Sequence, residues 1–162
     1  MTQQRYNPLK NLMQLNPEET ASFRAIAEGV RYRKVTSGGY IDLTVEMVEY
    51  RKIAGVQAMD YSFCHYGELN GDLMRDPEML FLVIVSPDGD WHVYPHYYRN
   101  DYAYGYETES LVPKDGGMGV LLKTQHDQAS FAQDWLRNLK EQGFVANAGK
   151  QAVKTKLGEE EE

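Results

Sequence analysis

Hard oxygen donors and imidazoles crowd the middle of this 162-residue chain. Glu68, Asp72, Asp76 and Glu78 follow one another closely, and His65, His92 and His96 lie nearby in sequence. Carboxylates suit a divalent ion, imidazoles complete such a site, and the bound metal would polarise a phosphoryl group or generate hydroxide. If Trp91 to Tyr98 is a strand, His92, Tyr94 and His96 share a face. The metal-ligand set is then Asp72, Asp76, Glu78, His92 and His96, and the activity a hydrolase or nucleotide-processing enzyme. The motifs around these residues do not support that chemistry. Their spacing differs from the calcium-loop pattern, and no HExxH, serine-hydrolase or phosphate-loop motif is present. A restriction-type nuclease places a lysine two residues after its second acid, where this chain has Leu80. No catalytic residue is therefore assigned and no cofactor is expected. Carboxylates that end strands, and histidines bonded to neighbouring tyrosines, account for the same residues.

The single cysteine, Cys64, cannot form an internal disulfide or a zinc site built on paired cysteines. It reads as a buried thiol, since His65 beside it points the other way on a strand. Six of the 12 tyrosines lie between Tyr94 and Tyr106, interleaved with His92, His96, Arg99, Asn100 and Asp101. With Arg99 the only base in that window, stacking of single-stranded nucleic acid on a basic track is disfavoured. Tyrosine mixed with Asp, Asn and Gly is instead an interface composition, giving large contact area at low entropy cost.

Charge is distributed unevenly. The net charge of −7 excludes a generally basic nucleic-acid binder. Residues 60–109 hold ten acids and two bases, whereas the stretches on either side are near neutral. Such a segment keeps a domain soluble or attracts a basic partner. The contact residues expected from it are Tyr94, Tyr97, Tyr98, Asp101, Tyr102 and Glu107. The partner would be a protein with a basic or nucleic-acid-binding surface; direct contact with nucleic acid is not expected.

The elements that must position these residues follow from periodicity. Asn16, Pro17, Glu18 and Glu19 open a short helix that Gly29 ends. Ile41 to Met47 and Val56 to Tyr66 alternate as strands joined by a hairpin at Ile53-Ala54-Gly55, Met79 to Val85 is apolar throughout as in a covered central strand, and Ser86 to Asp90 is a turn. Between them, His65 to Met79 reads as a polar loop, with Asn70-Gly71-Asp72 supplying turn chemistry and Asp76-Pro77 an extended or turn step. Gln125 to Gln142 carries an apolar stripe of Phe131, Ala132, Trp135, Leu136 and Leu139 behind a capping box of Thr124 and Asp127. The fold class is α+β: an antiparallel meander of four to five strands, a short N-terminal helix, and a long C-terminal amphipathic helix packed across the sheet. The expected domain is 16–144, with 1–15 an extension and 145–162 a disordered, acidic-ended tail. Met1 to Leu15 lacks the apolar region of a secretory signal and Met79 to Val85 is too short to span a bilayer, so no membrane association and a cytoplasmic location in a bacterial host cell are expected.

The run Asn70 to Met79, NGDLMRDPEM, together with His65-Tyr66 before it, resembles the signature of an uncharacterised domain family found on plasmids, integrative elements and phages. The stretch Phe131 to Phe144, FAQDWLRNLKEQGF, is similar to the closing helix of the same family. The motif loop is then His65, Asn70, Asp72, Asp76 and Glu78. The resemblance implies an accessory protein of a mobile element and no particular reaction. Joined to the acidic, tyrosine-rich segment, it suggests a non-enzymatic protein that binds, and blocks or dismantles, a host complex such as a restriction or CRISPR effector. The metal-dependent enzyme and a structural subunit of a larger assembly are the alternatives.

Overall fold

The computed structural model describes residues 6–151. Pro17–Ala27 form α1, followed by β1 (Tyr32–Val35), β2 (Leu43–Ile53), β3 (Val56–Leu69), β4 (Asp72–Val85), β5 (Trp91–Asn100) and β6 (Tyr106–Glu109). β7 (Leu111–Lys114) and β8 (Gly117–Val120) make a small hairpin before α2 (Leu122–Glu141). β1 to β6 form one antiparallel sheet in sequence order, and β7 and β8 form a second. The fold is α+β as the periodicity predicts, with a six-stranded meander rather than four or five strands. β1 and β6 escape the period-two reading because four residues carry too little alternation.

The hairpin at Ala54-Gly55 forms as expected, both residues at positive φ. α1 starts with Pro17 at its first position, but the Asn16 side chain makes no capping bond. Gln133 of α2 serves that end instead, its Oε1 accepting from the Asn16 N–H at 3.0 Å. α2 likewise begins at Leu122 after Leu121, so Thr124 and Asp127 form no capping box and lie on the helix itself.

Both helices cover one face of the sheet. Phe23 of α1 stacks on Phe63 of β3 with ring centroids 4.5 Å apart, within a core that includes Leu43, Phe81, Val93, Leu136 and Leu139. Burying each such side chain contributes roughly 1.5–3 kcal/mol. The other face is closed by the N-terminal segment and the β7 end of the small hairpin, where Leu9, Leu12 and Leu111 pack on Ala58, Leu82, Ile84 and Tyr94. The first half of β5 has no paired strand on its outer edge, because β6 pairs only with Tyr97 to Asn100. The N-terminal segment covers that edge: Leu15 N–H donates to Val93 O at 2.9 Å, and Gln125 of α2 bonds both Met13 O and Pro95 O. A free strand edge is thereby blunted.

Two expected boundaries shift. Residues 9–15, read as an extension, supply Leu9, Leu12 and Leu15 to the interior. Residues 144–151, assigned mostly to the tail, are helical and bury Phe144 and Ala148. The remainder of that tail, 152–162, lies outside the described residues.

Candidate functional site

The largest revision concerns the polar loop. His65 to Met79 is a continuation of β3 and β4, paired from Tyr66↔Arg75 to Leu69↔Asp72, and only Asn70 and Gly71 turn the chain. Both have positive φ, +52° and +86°, which suits Asn and Gly in a two-residue hairpin turn. The arm projects far enough that both its faces meet solvent at the tip, so its polar sequence resembles that of a loop.

Beside this arm lies the β5–β6 turn, Asp101 to Gly105, and the two are joined by backbone bonds. Asp101 N–H donates to Arg75 O at 2.9 Å, while Arg75 N–H donates to Asp101 Oδ2 at 2.8 Å. Arg99 Nε binds the other Asp101 oxygen at 2.7 Å. The Arg75 N–H first and the Arg99 guanidinium second hold the Asp101 carboxyl below the usual carboxylate range. Asn100 Nδ2 donates to Asp76 Oδ1 at 3.0 Å and Asn100 Oδ1 accepts from Tyr102 N–H at 3.0 Å. Tyr102 then lies across the arm above Gly67, where any Cβ would collide with its hydroxyl. Glu78 is held by Ser62 Oγ at 2.9 Å and by Arg75 at 3.6 Å. The motif residues Asn70, Asp76 and Glu78, with Gly71 and Arg75, therefore form the turn and the joint between two hairpin ends.

What the joined ends display is apolar and acidic together. Leu73 is 73% exposed, Tyr104 is fully exposed, and Leu69, Tyr102 and Tyr106 are exposed as well. Glu68, Asp72 and Glu107 are exposed around them. Of the expected contact residues, Tyr102 and Glu107 are on this surface, and Asp101 braces it. Tyr97 and Tyr98 alternate across the strand. Tyr97 donates to Glu107 Oε2 at 2.5 Å on the side away from α2, and Tyr98 faces Phe131 of α2 with ring centroids 5.0 Å apart. Burial first, and the bond to Glu107 second, push the Tyr97 phenol up to about 12, so it stays a donor. Tyr94 is a correction: it is fully buried among Leu82, Ile84 and Leu111, donates to Asn7 Oδ1 at 2.8 Å, and cannot touch a partner. The acidic segment is also divided. Asp88 and Asp90 belong to the β4–β5 turn at the opposite end of β5, and Asp60 is buried.

The metal-ligand candidates do not converge. Asp72 stands at the arm tip, Asp76 and Glu78 are committed to the joint, and His92 is bonded to Gln14 Oε1 at 3.0 Å near the other end of β5. His96 is enclosed: Nε2 lies 3.0 Å from Asp60 Oδ1 and Nδ1 lies 3.0 Å from Glu109 Oε2. Arg51 of β2 binds the second Asp60 oxygen at 3.1 Å. Burial lowers the His96 pKa, but the two carboxylates outweigh it and raise it to about 9. The imidazole is therefore a cation with both nitrogens occupied, which bars metal ligation. Among the described residues, no group of three or more His, Cys, Asp or Glu side chains is arranged to hold a metal ion. His65 packs against Trp135 and Phe144, and burial pushes its imidazole down. Cys64 is buried, and burial, then the Glu78 charge, push its thiol up to about 12, far from nucleophilic.

Sequence reasoning missed the Arg51–Asp60–His96–Glu109 chain, because its members come from four strands and have no local signature. It also counted Phe131 as core, whereas Phe131 is 40% exposed.

An antiparallel meander with α1 and α2 on one face, and with a braced pair of hairpin ends, defines the class of this domain. Residues 9–145 match the family model described as a domain of unknown function, DUF6908, and the chain belongs to that family. No curated protein and no solved structure matches it. Among the described residues no helix is long and apolar enough to cross a membrane.

Proposed function

We propose that the protein is a non-enzymatic accessory factor of a mobile genetic element that binds a host protein through the joined ends of the β3–β4 and β5–β6 hairpins. The partner presents a basic surface of the kind that normally holds nucleic acid, as in a restriction or CRISPR complex in the bacterial cytoplasm, and binding blocks that surface. The observation that carries this reading is the combination of exposed Leu73, Tyr102 and Tyr104 with Glu68, Asp72 and Glu107 on a scaffold held by reciprocal Arg75–Asp101 bonds. Large aromatic area supplies the contact, the acidic rim speeds encounter, and the rigid joint lowers the ordering cost of binding.

The test is association with the partner recovered from host cells, measured at several salt concentrations. Replacing Asp72 and Glu107 by lysine slows association by about tenfold or more at low salt and flattens its salt dependence. Unchanged rates in the doubly substituted protein overturn the proposal.

A further inference from the structure

A recess of about 210 Å³ opens between the β5–β6 ladder and α2. Tyr98 and Tyr106 line one side, and Asp127, Gln128 and Phe131 the other. The three rings meet at steep angles: Tyr98 and Tyr106 have centroids 6.0 Å apart at 62°, and Tyr98 and Phe131 have centroids 5.0 Å apart at 72°. Tyr106 and Phe131 remain exposed. Aromatic faces arranged as a corner attract a cation, and the Asp127 carboxylate on the same rim adds a full negative charge.

Gln128 gives an independent indication. It is only 4% exposed, and its Nε2 donates to both Thr108 O and Thr108 Oγ1 at 3.1 Å. A backbone carbonyl accepts only, which fixes the amide orientation and leaves Oε1 as an acceptor. That oxygen is buried and has no hydrogen-bond partner among the described residues. An acceptor left this way can take a donor from outside the chain, and because Gln128 lines the recess a ligand N–H can supply it.

We propose that this recess receives the guanidinium group of an arginine side chain presented by a protein partner. The inference rests on the protein-binding reading above and names the residue type that the partner contributes. A guanidinium is flat enough to stack on a tyrosine or phenylalanine ring, and its divergent N–H groups can serve Asp127 and Gln128 at once. A quaternary ammonium has no hydrogen to offer Gln128 Oε1, and an ammonium lacks the planar face. The acidity of residues 60–109 favours the same sign of ligand. Thr124 of the first turn of α2 also lines the recess, so the partial positive charge of that helix end opposes a cation there, and the full negative charge of Asp127 outweighs it.

The experiment is a titration of the full-length, ¹⁵N-labelled protein with N-acetyl-arginine-N-methylamide, run beside the citrulline amide as a neutral isostere. The arginine compound shifts the Gln128 side-chain amide and the Thr108, Asp127 and Phe131 backbone amides. The citrulline compound does not, and D127N and F131A each weaken the response by about tenfold. Equal response to both compounds, or response to neither, overturns the proposal, as does tighter binding of free arginine or agmatine, which would mark a metabolite site. Both variants change exposed helix positions, and an unchanged melting curve confirms that they fold. Failure here is separable from failure of the proposed function. If the amide does not bind while the Asp72 and Glu107 lysine variant loses its partner, only the recess assignment falls. If the amide binds while that variant keeps its partner, only the hairpin-end surface falls.

Discussion

The two halves of β5 both carry tyrosine among polar side chains, and use it in opposite ways. In the first half, Trp91 to His96, the edge is closed by the N-terminal segment and by Gln125 of α2, so Tyr94 becomes core and His96 a buried cation between two carboxylates. In the second half, Tyr97 to Asn100 and the turn that follows, only the short β6 covers the edge, and the tyrosines emerge beside exposed acids. Composition alone does not assign a residue to stability or to recognition. What packs against its strand edge does, and the comparison can be broken experimentally from either half.

The largest effect belongs to the closed half. Asp60→Ala removes the partner shared by His96 and Arg51 and leaves the buried His96 cation with Glu109 alone, which costs about 3–5 kcal/mol in urea denaturation. A loss below about 1 kcal/mol would show that the chain of charges is not what holds this half together. Next comes pH dependence. The folded pKa of His96 is raised to about 9 above an unfolded value near 6.5, so its contribution is complete below about pH 6.5 and is lost as pH rises through about 9. Its size is on the order of 3 kcal/mol. Stability therefore declines from pH 7 to pH 9.5, and His96→Gln, although less stable, gives a flatter profile over that range. An identical slope in the variant would place the titration elsewhere.

Smaller effects mark the open half. Gly67→Ala displaces the Tyr102 ring from above the arm and lowers partner affinity severalfold, while stability changes by less than about 1 kcal/mol because the displaced atom is the free end of a side chain. Smallest of all, Tyr104→Ala leaves the unfolding free energy within about 0.5 kcal/mol of the parent, since the ring makes no buried contact in the fold. A large destabilisation from either substitution would remove the distinction between the halves.

Much of this fold can be read from short-range pattern. Pro17 and Gly29 bound α1, Ala54-Gly55 turns the first hairpin, and the Met79 to Val85 run is a covered strand. Asn70-Gly71 was also visible as a turn, yet the arm around it reads as a loop, because a strand pair that projects beyond the core has no buried face to impose alternation. The N-terminal leucines and the helix at 144–151 were missed because their apolar residues are few and bury against distant elements. The site was less legible still. Asp60, His96 and Glu109 meet only through sheet register, and Gln128 acquires its significance from Thr108 on a neighbouring strand.

The central claim is that the hairpin-end tyrosines serve binding and not folding. Its most direct test is quantitative capture of the host partner by the parent protein and by the Tyr102→Ala, Tyr104→Ala double variant, with thermal unfolding measured on both. The account predicts unfolding curves that nearly coincide and a partner lost from the variant. Equal capture of the same partner by both proteins would contradict it.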